Sequence, residues 1–172
     1  YIGVISTFLA VLINLRWDIE IMISNSQPLY KSLLDASLTI ILMVTIIFLS
    51  NIAIGSILPM HIVFSAIAIS IHELLVSILF VQKKIYIYSF YRSLPAIALV
   101  LLALFGYGPH IIWPASFLLS VFFLFIYFRN LFKKAISEIS LNKIRNINLT
   151  SKLSAAITAS TFSFFSAFFV IA

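Results

Sequence analysis

SLTIILMVTIIFLSNIAIGSILPMHIVFSAIAISIHELLVSILFV, residues 37–81, decides the fold. Glu73 is the one Asp, Glu, Lys or Arg in it, and Pro59 stands near its middle. A second stretch, Ser93–Phe128, contains no Asp, Glu, Lys or Arg. A helix needs roughly 20 mainly apolar residues to cross the hydrocarbon core of a bilayer. Apolar blocks this long and this clean cannot stay soluble, so each reads as a pair of spans. The chain is expected to be an integral membrane protein of the all-α class, a polytopic transmembrane helix bundle.

Composition agrees. Hydrophobic residues make up 63% of the chain and charged residues 9%, with mean hydropathy +1.18, whereas a soluble domain carries about 25% charged residues. The net charge of +6 does not indicate nucleic acid, because the cations gather at helix ends and in loops. Cytoplasmic loops of membrane proteins concentrate Lys and Arg in this way. Cysteine is absent, which removes a disulfide framework, a thiolate metal site and a thiol nucleophile. Only four glycines occur, so no phosphate-cradling glycine loop exists. His72-Glu73 resembles the start of a zinc-protease helix, but Val76 holds the second histidine position. No enzyme motif remains, and no cofactor is expected.

Working outward, the periodic and apolar stretches give about six candidate spans. They are Tyr1–Leu15, Ser37–Pro59, Met60–Gln82, Tyr91–Tyr107, Pro109–Phe128 and Leu153–Ala172. Gly106-Tyr107-Gly108-Pro109 separates the fourth from the fifth, and Ser56–Pro59 separates the second from the third. Tyr1 and Ala172 both lie in apolar runs, so the chain is expected to be an internal piece of a larger multipass protein. A signal peptide fits Tyr1–Leu15 poorly, since a charged n-region and a small-residue cleavage site are missing.

Loop charge alternates with this count. Arg16–Ala36 holds Arg16 and Lys31, Lys83–Arg92 holds Lys83, Lys84 and Arg92, and Arg129–Lys152 holds Arg129, Lys133, Lys134, Lys143, Arg145 and Lys152. The connections near Pro59 and Gly108 hold no Lys or Arg. Basic loops are retained on the cytoplasmic side, so the first span should run from outside to inside. Tyr86, Tyr88, Phe90, Tyr91, Tyr107 and Trp113 fall near the span ends, where half-wet rings anchor at the headgroup level. Within residues 129–152, Leu131, Phe132, Ala135, Ile136, Ile139 and Ile144 recur at near-helical spacing, with Lys133, Lys134, Glu138 and Lys143 on other faces. A basic amphipathic connector on the cytoplasmic surface, in contact with anionic lipids, is the economical reading.

Glu73 is the most informative single residue. A carboxylate deep in a span costs about 2.5–3.5 kcal/mol on insertion scales and usually faces the bundle interior or a watery cavity. It reads as an ion-coupling or polar-substrate site, or else as a structural hydrogen bond to another helix. His72 points about 100° away on the helix, so the two need not touch. Arg16 and Glu20 stand at i, i+4 beside Asp18; they guard a vestibule or form a solvated edge. Ser154, Thr158 and Thr161 share one face of the last span, where hydroxyls either glue helices or line a cavity.

Arg16-Trp17-Asp18-Ile19-Glu20-Ile21 after a span, leading to Leu33-Leu34, resembles the Arg-aromatic-acidic motif of O-antigen-type polysaccharide flippases. So does Leu74–Arg92, where a helix ends in a short basic turn and an Arg precedes an apolar run broken by a glycine turn. These flippases belong to the multidrug/oligosaccharidyl-lipid/polysaccharide exporter superfamily. The likeness covers about three-quarters of the chain; Glu20 departs from it, standing where a small residue is common. It implies residues 1–128 as five helices of one lobe, 129–152 as the connector, and 153–172 as the first helix of the next lobe. The whole would be a two-lobe, alternating-access exporter of about twelve helices.

The implied function is translocation of an undecaprenyl-pyrophosphate-linked oligosaccharide repeat unit across the cytoplasmic (inner) membrane, with polysaccharide polymerase machinery as partner. Arg16 and Arg92 would meet the pyrophosphate, because Arg can grip it bidentately. Glu73 would couple transport to H+ or Na+, and Ser154, Thr158 and Thr161 would line the cavity. Three rival readings stand beside it: a drug exporter of the same superfamily, a non-catalytic membrane assembly subunit, and a membrane enzyme such as a sugar polymerase or acyltransferase. The last is disfavoured by the tiny uncharged outer loops.

Overall fold

The structure, a computed structural model, describes residues 2–14, 17–23, 29–55 and 58–137. These form α1 (Ile2–Asn14), α2 (Trp17–Ile23), α3 (Leu29–Ala53), α4 (Met60–Val81), α5 (Ile85–Leu104), α6 (Pro109–Tyr127) and α7 (Arg129–Ser137). Among the described residues there is no strand. α3, α4, α5 and α6 are each long and apolar enough to cross a bilayer. The described residues are thus organised in helices alone, and the chain is a multipass membrane protein.

α4 is the axis of the bundle, packing against α1, α2, α3, α5 and α6. Of its apolar stretch 78% of residues are buried, against 11% in α5, which places α5 at the rim. Small side chains make the central position possible. Ser65, Ala66, Ala68, Ser70 and Ser77 are all buried on α4, and small residues let helix backbones approach closely where lipid supplies no hydrophobic drive. On α6, Ser116 and Ser120 are buried in the same way. The outer faces of α3, α5 and α6 expose Ile41, Leu49, Leu101, Leu104, Phe122 and Ile126, a surface suited to acyl chains.

The turns follow local chemistry. α3 and α5 are followed by Gly55 and Gly106, with φ of 86° and 78°, where a residue without Cβ is unstrained. The Gly106 turn falls where the sequence places it. Asn51 then ties the α3–α4 connection together: its Nδ2 donates to the Leu58 carbonyl at 3.1 Å, and the Leu58 N–H donates to its Oδ1 at 2.9 Å. Between α4 and α5 the chain reverses through Gln82-Lys83-Lys84 alone. The Lys84 N–H reaches the Leu79 carbonyl at 3.1 Å and the Lys83 N–H reaches that of Phe80 at 2.9 Å. That pair of bonds is a Schellman closure, with Lys83 in the left-handed position at φ 57°.

The expected span limits shift in physically instructive ways. α3 begins at Leu29, ahead of the expected Ser37, because Ser32, Leu33, Leu34 and Ala36 pack into the bundle and carry the helix through Lys31 and Asp35. α5 begins at Ile85, ahead of the expected Tyr91, since the Schellman turn lets a new helix start at once. Arg92 is therefore a helix residue, not a loop residue. α1 has 13 residues, fewer than the roughly 20 a span needs, and it lies against α4. The expected sixth span, Leu153–Ala172, lies outside the described residues. Of the basic connector, α7 is described; it leaves Phe128 and packs against α3, with Lys134 Nζ 4.7 Å from the Tyr30 ring centre.

Candidate functional site

The polar centre of the bundle is built where α4, α5 and α6 meet. Pro95 sits inside α5. A proline has no N–H, so the carbonyl four residues earlier loses its helical partner; here that carbonyl belongs to Tyr91. His72 of α4 fills the vacancy, its Nε2 standing 3.1 Å from the Tyr91 oxygen. Ser120 of α6 donates to the same oxygen at 3.5 Å. One freed carbonyl therefore joins three helices. The imidazole is 1% exposed and has the Phe117 ring edge-on at 5.4 Å.

Because a carbonyl only accepts, the His72 Nε2 must carry the proton. Its Nδ1 is left facing the Glu73 carboxylate, 3.8 Å from Oε1. That nitrogen is buried and has no hydrogen-bond partner. The carboxylate thus reaches back over the turn to its neighbour, despite the angle between adjacent helix positions. Its other oxygen, Oε2, lies 3.5 Å from the Arg92 guanidinium on α5. Arg92 also donates to the Tyr88 hydroxyl at 3.2 Å and lies 5.8 Å from that ring. Glu73 accordingly stands between two bases, with one oxygen toward each.

Two clefts meet at this pair. A cavity of about 180 Å³ runs along α1 and α2, lined by Thr7, Asn14, Asp18, Ser70, Glu73 and Arg92. A second, of about 280 Å³, opens between α4, α5 and α6 and is lined by His72, Glu73, Arg92, Pro95, Trp113 and Phe117. Both share Glu73 and Arg92, whose side chains are 36% and 53% exposed. In the first, Asn14 Nδ2 donates to Asp18 at 3.2 Å, while Asn14 Oδ1 and Ser70 Oγ are buried without partners. In the second, the buried Trp113 Nε1–H likewise has no acceptor. These orphaned groups suit water or a polar ligand, since a buried polar atom left unpaired costs about 1–3 kcal/mol.

Of the residues singled out from sequence, the structure brings Glu73 and Arg92 together. Asp18 lines the same cleft, while Arg16, the Glu20 side chain, Ser154, Thr158 and Thr161 lie outside the described residues. Sequence reading missed Pro95, Ser120 and Asn14. The signal for the first was available: a proline within an apolar helix frees a carbonyl, and a histidine elsewhere in the spans is a natural donor for it. Among the described residues, no group of three or more His, Cys, Asp or Glu is placed to hold a metal ion.

The described helices and the site define a helical multipass membrane protein with a charged pair shared by two open clefts. The chain matches no family model, no curated protein and no solved structure.

Proposed function

We propose that this chain is part of a membrane transporter of the flippase type, moving an undecaprenyl-pyrophosphate-linked oligosaccharide from the inner to the outer leaflet of the cytoplasmic membrane. The observation that carries the reading is the Arg92–Glu73 pair at 3.5 Å, shared by two clefts inside a lipid-facing bundle. Charged residues within spans are costly and mark substrate or ion pathways. A guanidinium about half exposed to a cleft can take a phosphate oxygen pair once its carboxylate lets go. The resemblance of Arg16–Ile21 and Leu74–Arg92 to polysaccharide flippases supplies the substrate class. In this reading Arg92 meets the pyrophosphate and Glu73 answers to the coupling ion, H+ or Na+.

The test uses the full-length gene product containing this chain, expressed in a cell lacking its own repeat-unit flippase and supplied with a matched sugar pathway. Wild type should restore surface polysaccharide, while Glu73→Ala and Arg92→Ala should fail despite normal amounts in the membrane. A wild type that is well expressed and restores nothing moves the drug-exporter and assembly-subunit readings ahead.

A further inference from the structure

We infer that His72 and Glu73 form a single proton-binding site, and that its occupancy decides whether Glu73 holds Arg92. The inference rests on the transport reading and deepens it by naming the proton as the ion bound at Glu73.

The geometry leaves little freedom. Tyr91's carbonyl fixes the proton on Nε2 of His72, so only Nδ1 can gain or lose one. Nδ1 is buried, unpartnered and 3.8 Å from Oε1 of Glu73. With no proton between them, a nitrogen lone pair faces a carboxylate oxygen, and the carboxylate's stabilising partner is Arg92. When a proton arrives from water it binds either Nδ1 or Oε1. Either way the two groups then share a hydrogen bond, which a small rotation of the Glu73 side chain shortens into the usual range of about 2.7–3.0 Å. The dyad gains one positive charge, and its attraction for Arg92 falls. The guanidinium already has a second resting place on Tyr88. Loss of the Glu73–Arg92 contact opens the ion pair that forms part of the wall of both clefts.

The neighbours do not offer a competing base within the dyad. α5 contributes Arg92, Tyr88 and Tyr91, and α2 contributes Asp18, which lines the first cleft. α1 presents neutral Thr7 and Asn14, and α6 presents Trp113, Phe117 and Ser120. Lys31 and Asp35 of α3 line neither cleft. A sodium ion is poorly served at this point, because the site places a guanidinium on one carboxylate oxygen and a ring nitrogen on the other, whereas hard cations prefer several oxygen ligands.

The experiment is nitrogen-15 NMR of the histidine-labelled chain in lipid nanodiscs. Three histidines occur in the chain, so His61→Gln with His110→Gln leaves His72 as the only signal. Nε2 should stay protonated at every pH, and Nδ1 should take up a proton as pH falls. Glu73→Gln should lower the midpoint of that uptake by about one pH unit or more, a tenfold weaker proton affinity. Arg92→Gln should raise it, which keeps the test meaningful if one variant misfolds. Replacing K+ by Na+ at constant ionic strength should leave the midpoint in place. A His72 protonated on Nδ1 in place of Nε2, a midpoint indifferent to both substitutions, or a midpoint displaced by Na+ overturns the site.

The coupling to Arg92 has its own readout. The chain lacks cysteine, so Ala96→Cys in the second cleft can be labelled alone by a water-soluble thiol reagent. Compared at the same pH, the Glu73→Gln background should label several-fold faster than Glu73 at high pH and equally at low pH. Equal rates throughout overturn the coupling. Neither measurement needs transport, so a failure to export repeat units and a failure of the proton site are separate results.

Discussion

His72 donates from Nε2 to the Tyr91 carbonyl across the α4–α5 interface, at 3.1 Å. The bond exists because Pro95 cannot donate to that oxygen from within α5. A helix defect on one element has become the docking point for the next. Removing His72 should therefore cost stability, and restoring the missing N–H should reduce the loss. For His72→Ala we expect about 1–2 kcal/mol of destabilisation in thermal unfolding in detergent, most of it from the carbonyl left under-satisfied. In a Pro95→Ala background the new backbone N–H takes the carbonyl, and the same His72 substitution should cost less by about 0.5–1 kcal/mol. Strict additivity of the two changes would mean that the Tyr91 oxygen is not what His72 serves.

Asn51 is 5% exposed and makes two hydrogen bonds to the backbone of Leu58. Such a bracket substitutes for backbone pairing across the connection between α3 and α4. Asn51→Leu removes donor and acceptor together and strands both Leu58 groups, so it should cost about 1–3 kcal/mol. Asn51→Asp keeps the acceptor for the Leu58 N–H and should fall between wild type and Asn51→Leu. If Asn51→Leu unfolds at the wild-type temperature, water replaces the bracket without loss.

Close approach of α1 to α6 depends on Gly3. A Cβ built there would lie 2.7 Å from Trp113 Cζ2 and 2.9 Å from Cη2. Gly3→Ala should force the indole or the helix aside, at about 1–3 kcal/mol for overpacking. The smaller ring of Trp113→Phe should recover part of that cost when the two are combined. Since Trp113 also lines the second cleft, its fluorescence should change with Gly3→Ala even where unfolding is still cooperative.

How much of this was legible beforehand depended on which property a residue expresses locally. Residues 37–81 and Ser93–Phe128 announce their helices because hydropathy and length alone fix a span: α4 and α6 lie wholly within them, and α3 and α5 for more than half their length. Gly106 announced its turn by lacking a Cβ. The start of α5 was not legible, because Lys83 adopts a left-handed conformation that its side chain disfavours, and nothing in Lys83-Lys84 signals a Schellman closure. Nor was the start of α3, where helix and span are different things: Lys31 and Asp35 end the apolar run but not the hydrogen-bonded ladder. Glu73 stood out as a lone charge in an apolar helix. Its partners did not: the adjacent His72 is met because the carboxylate reaches back over the turn, and Arg92, 19 residues on, meets it only through α4–α5 packing.

Lys83 yields a sharp test of that turn. A non-glycine residue in the left-handed region costs roughly 1–2 kcal/mol, while glycine brings back roughly 0.5–1 kcal/mol in chain entropy. Lys83→Gly should therefore be neutral or stabilising by about 0.5 kcal/mol, with Lys84 kept in its 2.7 Å bond to the Tyr127 hydroxyl. Lys83→Val, β-branched and unable to adopt φ 57° without strain, should lower stability by about 1–2 kcal/mol or more. A Val variant as stable as the Gly variant would show that the turn closes through another conformation.

Orientation in the bilayer is the last and most easily decided expectation. Lys133 lies on α7 at the basic end of α6, and Tyr107 lies in the exposed turn before α6, which carries no Lys or Arg. The α6 helix of 19 residues separates them, long enough to cross with little tilt. Because Lys and Arg are retained on the cytoplasmic side, the single variants Tyr107→Cys and Lys133→Cys should react with a membrane-impermeant thiol reagent from opposite faces, the first from outside whole cells and the second only after lysis. The absence of native cysteine makes each signal unambiguous. Labelling of both positions from one face would mean that α6 does not cross the membrane, and the multipass arrangement built around α4 would have to be redrawn.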